Sequence, residues 1–246
     1  TKTAMKLACA NVDARANDEV AELIHSYPGL EKEPYLESGQ SYALDALPRL
    51  LWVKNKLPEI YEKIDRIGMF NDWLIYKLTG ILAVEPSNGS TTGLMDLKTR
   101  TWDPSILEAA IKEQHLPPVQ ESGTIAGTVT ADAALQTGLT EGTLVVVAAA
   151  MPAGCIGVGA VDANDAAIFG GSFWQYEYNT DRADTDPQCR VRVNCHAVKN
   201  IWQYEALAFK PGLVMRWFRD GFCQAEKELA RLEGTDPYDV MNRYAK

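Results

Sequence analysis

A chain of 246 residues, 46% hydrophobic and 23% charged, carries enough apolar material for one large domain or two modest ones. Its net charge of −9, without basic clusters or basic helices, argues against nucleic acid or anionic membrane as partner. No apolar run reaches spanning length and the N-terminus carries no signal-peptide pattern, so a cytoplasmic protein without a membrane partner is expected.

Lys6 to Ala10 reads as a strand, and so abrupt a start leads to the expectation of a preceding segment. Asn11-Val12-Asp13-Ala14-Arg15 follows, with Asp13 and Arg15 on one side of an extended chain. The pair is either a local ion pair before a helix or a polar pair that orients a hydroxylated substrate. Asp18–Tyr27 reads as a helix ended by Pro28-Gly29, and a polar loop separates it from a helix over Ala43–Leu57 with Pro48 near its start. Further helices are expected over Pro58–Ile67 and over Phe70–Leu78, the latter turning Trp73, Leu74 and Leu78 inward and capped by Thr79-Gly80.

Pro86 to Gly93 is a loop dense in hydroxyl and amide groups, and it includes Asn88. Trp102-Asp103-Pro104 starts a helix up to Glu113, and His115 behind it suits an exposed or capping role. Gly127–Thr130 reads as a strand, Ala131–Thr137 as a helix, and Leu144–Ala150 as a short β-branched run suited to a buried strand. Pro152 then opens a helix of small residues. Gly154, Gly157 and Gly159 do not spell the dinucleotide fingerprint, and no Walker-type loop occurs.

Ala166–Phe169 and Phe173–Tyr178 read as paired strands joined by Gly170-Gly171-Ser172, a turn whose bare N–H groups suit a phosphate but which more often only joins strands. Arg190–Val198 is expected as a third strand, antiparallel to the second, and Ile201–Leu207 as a fourth. Pro211-Gly212 starts a long amphipathic helix. The five cysteines, Cys9, Cys155, Cys189, Cys195 and Cys223, lack C-x-x-C spacing and read as reduced thiols. Cys189, Cys195 and His196 lack a fourth partner at zinc spacing, and no metal ligand set is expected.

Several blocks occur together and in order: Ala8-Cys9-Ala10-Asn11-Val12-Asp13-Ala14-Arg15, Pro48-Arg49-Leu50-Leu51-Trp52, Asp72-Trp73-Leu74, Pro86-Ser87-Asn88, Thr91-Thr92-Gly93-Leu94, Gly170-Gly171-Ser172-Phe173-Trp174-Gln175 and Met215-Arg216-Trp217-Phe218. This set resembles the FGGY carbohydrate kinases over nearly the whole chain, most closely their autoinducer-2 kinase branch, with the xylulose kinases next. The resemblance implies an α/β, actin/ribonuclease-H-like two-lobed sugar kinase, present as a fragment of an enzyme about twice as long. Residues 1–158 would complete the substrate lobe and 159–246 would open the nucleotide lobe.

It also implies ATP with Mg²⁺ as cofactors, a small sugar-like substrate, and a homodimer as the expected assembly. Asn11, Asp13, Arg15 and Asn88 match blocks near the substrate, and Gly170, Gly171 and Ser172 match the phosphate-binding hairpin. The implied activity is ATP-dependent phosphorylation of a small polyhydroxylated carbonyl compound, an autoinducer-2 precursor or a ketopentose such as xylulose. The family's catalytic Asp has no counterpart: its place falls between Ala150 and Met151, where the chain is one residue short. The alternative is therefore a catalytically dead relative that binds sugar or nucleotide for regulation.

Overall fold

The computed structural model describes residues 13–26, 32–40, 46–107, 111, 113–148 and 150–245. Asn11 and the strand expected at Lys6–Ala10 lie outside them. Two compact units result: residues up to Ala166 together with Tyr178–Glu205, and Ala167–Glu177 together with Ala206–Lys246.

The first unit begins with α1 (Asn17–Ser26), whose first turn carries Asp18 and Glu19 at the positive end of the helix dipole. The polar loop expected next contains a helix, α2 (Lys32–Ser38). Its sequence has little apolar face, and what holds it is tertiary: Tyr35 is buried and its hydroxyl donates to the Val191 carbonyl. α3 (Ala46–Lys56) takes Pro48 in its first turn, where a missing N–H costs nothing, and buries Leu47 and Leu50. The helix expected up to Ile67 is a single turn, α4 (Pro58–Tyr61), because the chain leaves it so that the Ile67 N–H can donate to the His115 carbonyl at 2.8 Å.

α5 (Phe70–Thr79) ends at Gly80 in the left-handed region (φ +77°), as a C-cap glycine should. Its inward face is not the expected one. Asp72, Ile75 and Thr79 are buried, whereas Trp73 and Leu74 are exposed. Ile75 packs with Ala83, Ala126 and Val147, and the Asp72 carboxyl caps the helix, so together they fix its rotation.

The hydroxyl-rich stretch folds into one helical turn, α6 (Pro86–Ser90). A small antiparallel pair follows, β1 (Met95–Asp96) with β2 (Thr101–Trp102), then α7 (Pro104–Leu107) and a 3₁₀ turn at Glu113–His115. The largest core joins Leu47, Leu50, Val84, Leu94, Met95, Trp102, Ile111 and Leu116. Trp102 keeps its indole N–H satisfied on the Pro117 carbonyl at 2.8 Å.

β3 (Ile125–Thr128), α8 (Ala131–Thr137) and β4 (Leu144–Val146) follow, with β3 and β4 antiparallel in the register Ile125↔Val146 and Thr128↔Leu144. The expected buried strand is thus shorter and only half covered. Leu144 is 61% exposed and Val146 49%, while Val145 packs on the Ile75 cluster and Val147 is buried. The two-stranded sheet is covered on the α5 side, so alternate residues face away from the core. α9 (Ala150–Val158) begins four residues after β4 ends at Val146.

The last sheet contains β5 (Ala166–Gly170), β6 (Trp174–Thr180), β7 (Arg192–Cys195) and β8 (Trp202–Ala208) in the order β5-β6-β8-β7. The strand expected beside β6 therefore lies at the edge, antiparallel to β8 with Arg192↔Glu205 and Cys195↔Trp202 in register. Polar side chains hold it there. Gln40 donates to the Val193 carbonyl at 2.8 Å and to Asn194 at 2.9 Å, and Asn194 donates to the Glu205 carboxyl at 2.6 Å. Arg192 reaches Gln40 at 2.7 Å and Glu205 at 3.2 Å.

The second unit adds α10 (Pro211–Phe222), α11 (Gln224–Glu233) and α12 (Pro237–Tyr244). Gly212, in the first turn of α10, lies against the Gly171 backbone so closely that a Cβ there would overlap the Gly171 carbonyl. Backbone cannot yield as a side-chain tip can. Gly212→Ala should therefore lower the stability of this unit by about 1–3 kcal/mol, read from the urea midpoint. An unchanged midpoint would mean that the turn tolerates displacement.

Candidate active site

Asn88 is tethered by its side chain to the start of α5. It sits in the first turn of α6, half-buried, and its amide donates to Asn71 Oδ1 at 2.5 Å and to Asp72 Oδ1 at 3.2 Å. Asp72 is 1% exposed and also accepts from the Met69 N–H at 2.7 Å. Asn71 passes the contact on by donating to the Ala148 carbonyl at 3.2 Å. A line of polar side chains thus runs from α6 through the start of α5 to the link between β4 and α9.

Glu85 anchors this arrangement from below. Fully buried at the N-cap of α6, it accepts from the Asn88 N–H at 2.5 Å, the Ser87 N–H at 2.9 Å and the Ser87 hydroxyl at 2.7 Å. The Ser122 hydroxyl donates to it as well. Pro86 at the first helical position needs no acceptor, so one carboxyl satisfies the remaining donors of the turn.

Burial pushes the Asp72 carboxyl up to about 7, with Glu85 adding to the rise and the hydrogen bonds from Met69 and Asn88 opposing it. A folded-state value above the ordinary carboxylate range means that the folded protein holds this proton more tightly than the unfolded chain does. Its stabilisation is complete below the ordinary value and is lost as pH rises through about 7. Urea midpoints measured across that window should fall with pH, and Asp72→Asn should remove that component of the slope. A slope unchanged in the variant would assign it to other groups.

Asp13 and Arg15 pair with each other, Arg15 Nη2 lying 2.6 Å from Asp13 Oδ2, just before α1. The guanidinium also lies 5.1 Å from the centroid of the Trp52 ring on α3. Hydrogen bonds from Arg15, aided by the charges of Arg15 and Arg49, hold the Asp13 carboxyl below its ordinary value. A carboxylate and a guanidinium fixed side by side offer an acceptor and several donors to a polyhydroxylated molecule.

Gly170, Gly171 and Ser172 lie in the second compact unit, where they form the turn between β5 and β6. All three are exposed, and they line an open depression of about 430 Å³ with Ile168, Phe169, Phe173 and Gln175. The N–H of Gly171 donates to the Phe173 carbonyl at 3.0 Å, so the turn itself uses that donor. Ala150 and Met151 occupy the first turn of α9, at the positive end of the helix, where a carboxylate would be kept ionised. Among the described residues no group of three or more His, Cys, Asp and Glu is placed to hold a metal ion, and no helix is long and apolar enough to cross a membrane.

Residues 4–151 match the N-terminal domain of the FGGY family of carbohydrate kinases. The chain belongs to this family. An autoinducer-2 kinase of Klebsiella pneumoniae subsp. pneumoniae is 48% identical over 242 residues, 97% of this chain and 45% of that protein. Among solved structures, a ligand-bound xylulose kinase from Lactobacillus acidophilus aligns with a TM-score of 0.82 at 22% identity, over 97% of this chain and 47% of its own. A xylulose kinase from Rhodospirillum rubrum gives 0.79 at 23% identity, over 91% and 46%. These likenesses show that the chain has the fold of the sugar kinases. The chain spans about half the length of the curated relatives it matches.

Within this FGGY chain, two residues of the Asn88 cluster escape a reading of motifs alone. Asn71 precedes the Asp72-Trp73-Leu74 block and Glu85 sits outside the hydroxyl-rich stretch it organises, while Asp72 lies in a block without its role being legible there. One signal was available: Pro86 suits the first helical position, which marks Glu85 before it as the N-cap.

Proposed function

We propose that this chain is part of an ATP-dependent carbohydrate kinase that phosphorylates a hydroxyl of a small polyhydroxylated carbonyl compound, autoinducer-2 or a ketopentose such as xylulose. The observation that carries it is the fixed polar line from Asn88 through Asn71 to Ala148, which ends where β4 gives way to the N-terminus of α9. Residues 1–158 then belong to the substrate lobe and 159–246 open the nucleotide lobe. Asn11, Asp13, Arg15 and Asn88 hold the acceptor, and their donors and carboxylate match vicinal hydroxyls. Gly170, Gly171 and Ser172 suit the ATP phosphates, since the turn is exposed, concave and without bulk at its glycines. Mg²⁺ enters with ATP and neutralises phosphate charge. The protein's own part is to position the acceptor; at the helix end stand Ala150 and Met151, neither of which is a base for its proton.

The 48% identity to an autoinducer-2 kinase supports that branch over the xylulose kinases. The deciding experiment uses the full-length protein and follows ADP release with autoinducer-2 and with D-xylulose. Release that depends on either acceptor supports a kinase, and the better acceptor fixes the branch. Saturable acceptor binding without ADP release supports the second reading, a binding protein that lacks its base; Ala150 and Met151 at the start of α9 favour it. Absence of both binding and turnover would overturn the two readings together.

A further inference from the structure

The hydrogen bonds around Asn88 have a direction, and it is set at one end. Asp72 receives donors on both oxygens, the Met69 N–H on Oδ2 and the Asn88 amide on Oδ1. With Asp72 ionised, above about pH 7, Asn88 must therefore turn its NH₂ toward it, and the same NH₂ donates to Asn71 Oδ1. With its oxygen committed there, Asn71 turns its own NH₂ to the Ala148 carbonyl. The two ends of an amide have nearly the same shape, so only their partners choose its orientation. Reversing either amide would set donor against donor or oxygen against oxygen.

The far end of this line falls one residue beyond Val147. Val147 is tied on both sides, its N–H to the Thr124 carbonyl at 2.9 Å and its carbonyl to the Gly123 N–H at 2.8 Å. The next carbonyl, that of Ala148, is taken by Asn71, and α9 starts two residues later. We propose that Asp72 is the positioning residue of the β4–α9 junction, acting through Asn88 and Asn71 to hold the Ala148 carbonyl in place. Its consequence for phosphoryl transfer rests on the kinase reading; the hydrogen-bonded line does not.

Hydrogen exchange on the full-length protein tests this, followed by mass spectrometry in peptides covering residues 146–153 and 67–74. Asn71→Ala should speed exchange in the junction peptide by roughly five- to tenfold, the worth of one hydrogen bond. Asp72→Asn should do the same at the junction: its one oxygen serves the Met69 N–H and keeps the cap of α5, while its NH₂ meets the Asn88 amide and reverses the line. Because the two residues act in series, the double variant should loosen the junction no more than either single one. A purely structural Asp72 would loosen residues 67–74 alone, or its effect would multiply with that of Asn71→Ala, and either outcome overturns the proposal.

Asn71→Asp keeps the Asp72 cap but sets a carboxyl oxygen against the Ala148 carbonyl, so it serves even where Asp72→Asn does not fold. It should loosen the junction at least as much as Asn71→Ala, and an unchanged junction would refute the proposed role. If exchange behaves as expected while the full-length protein fails to phosphorylate any acceptor, the kinase reading falls and the positioning role stands.

Discussion

Insertion of one Asp between Ala150 and Met151 of the full-length protein should raise acceptor-dependent ADP release by about two orders of magnitude or more. A general base is typically worth ~10²–10⁴ in rate, and phosphoryl transfer needs little else of the protein beyond position and charge neutralisation. The site is suited to a base. Ala150 and Met151 lie in the first turn of α9, where the helix dipole favours a carboxylate, and Asn71 holds the carbonyl just upstream. Asn inserted at the same place has the same shape without the basicity, and should leave the rate at the parent level. KM for ATP should move little in either variant if, as proposed, the nucleotide binds at the Gly170–Ser172 turn. Equal rates in the parent and the Asp insertion would show that the proton leaves by another route.

The extents of α1, α3, α5 and α8 were legible in the sequence, from apolar spacing, from Pro48 near the start of α3 and from Gly80 as a left-handed cap. The β5–β6 turn was legible from its glycines. What the sequence hid depends on distant partners. α2 is a helix because Tyr35 reaches residue 191, and β7 lies at an edge because Gln40 and Glu205 grip it from separate parts of the chain. The rotation of α5 follows the same rule. Trp73 and Leu74 are the more hydrophobic choice for its inner face, yet a buried Asp72 with two donors outweighs them. At the candidate site the motif residue Asn88 could be found, whereas the groups that aim it could not, since a carboxyl in a capping role has no periodicity of its own.

Glu85→Ala is expected to be the most destabilising single substitution in the Asn88 cluster. Four donors converge on the Glu85 carboxyl inside the protein: two backbone N–H groups, of Ser87 and Asn88, and the hydroxyls of Ser87 and Ser122. The hydroxyls can rotate toward other acceptors; the backbone N–H groups of a helix first turn cannot. Leaving two buried N–H groups without a partner costs about 2–6 kcal/mol, a large part of the roughly 5–15 kcal/mol that stabilises a typical domain. Glu85→Gln is the sharper comparison. Each carboxyl oxygen accepts from one of the two N–H groups, so whichever way the Gln amide turns, its NH₂ meets a backbone donor. That variant should lose about 1–3 kcal/mol, between wild type and Ala. Glu85→Asp keeps a good N-cap group but is one methylene shorter, and it should retain the helix turn while losing the reach to Ser122. Urea titrations of the four proteins should therefore rank wild type first and Ala last. The Asn88 amide depends on the same turn, so acceptor binding in the full-length protein should decline in that order too. If Glu85→Ala unfolds within about 0.5 kcal/mol of wild type, the carboxyl is not what holds α6, and Asn88 must be placed by the Asp72 side alone.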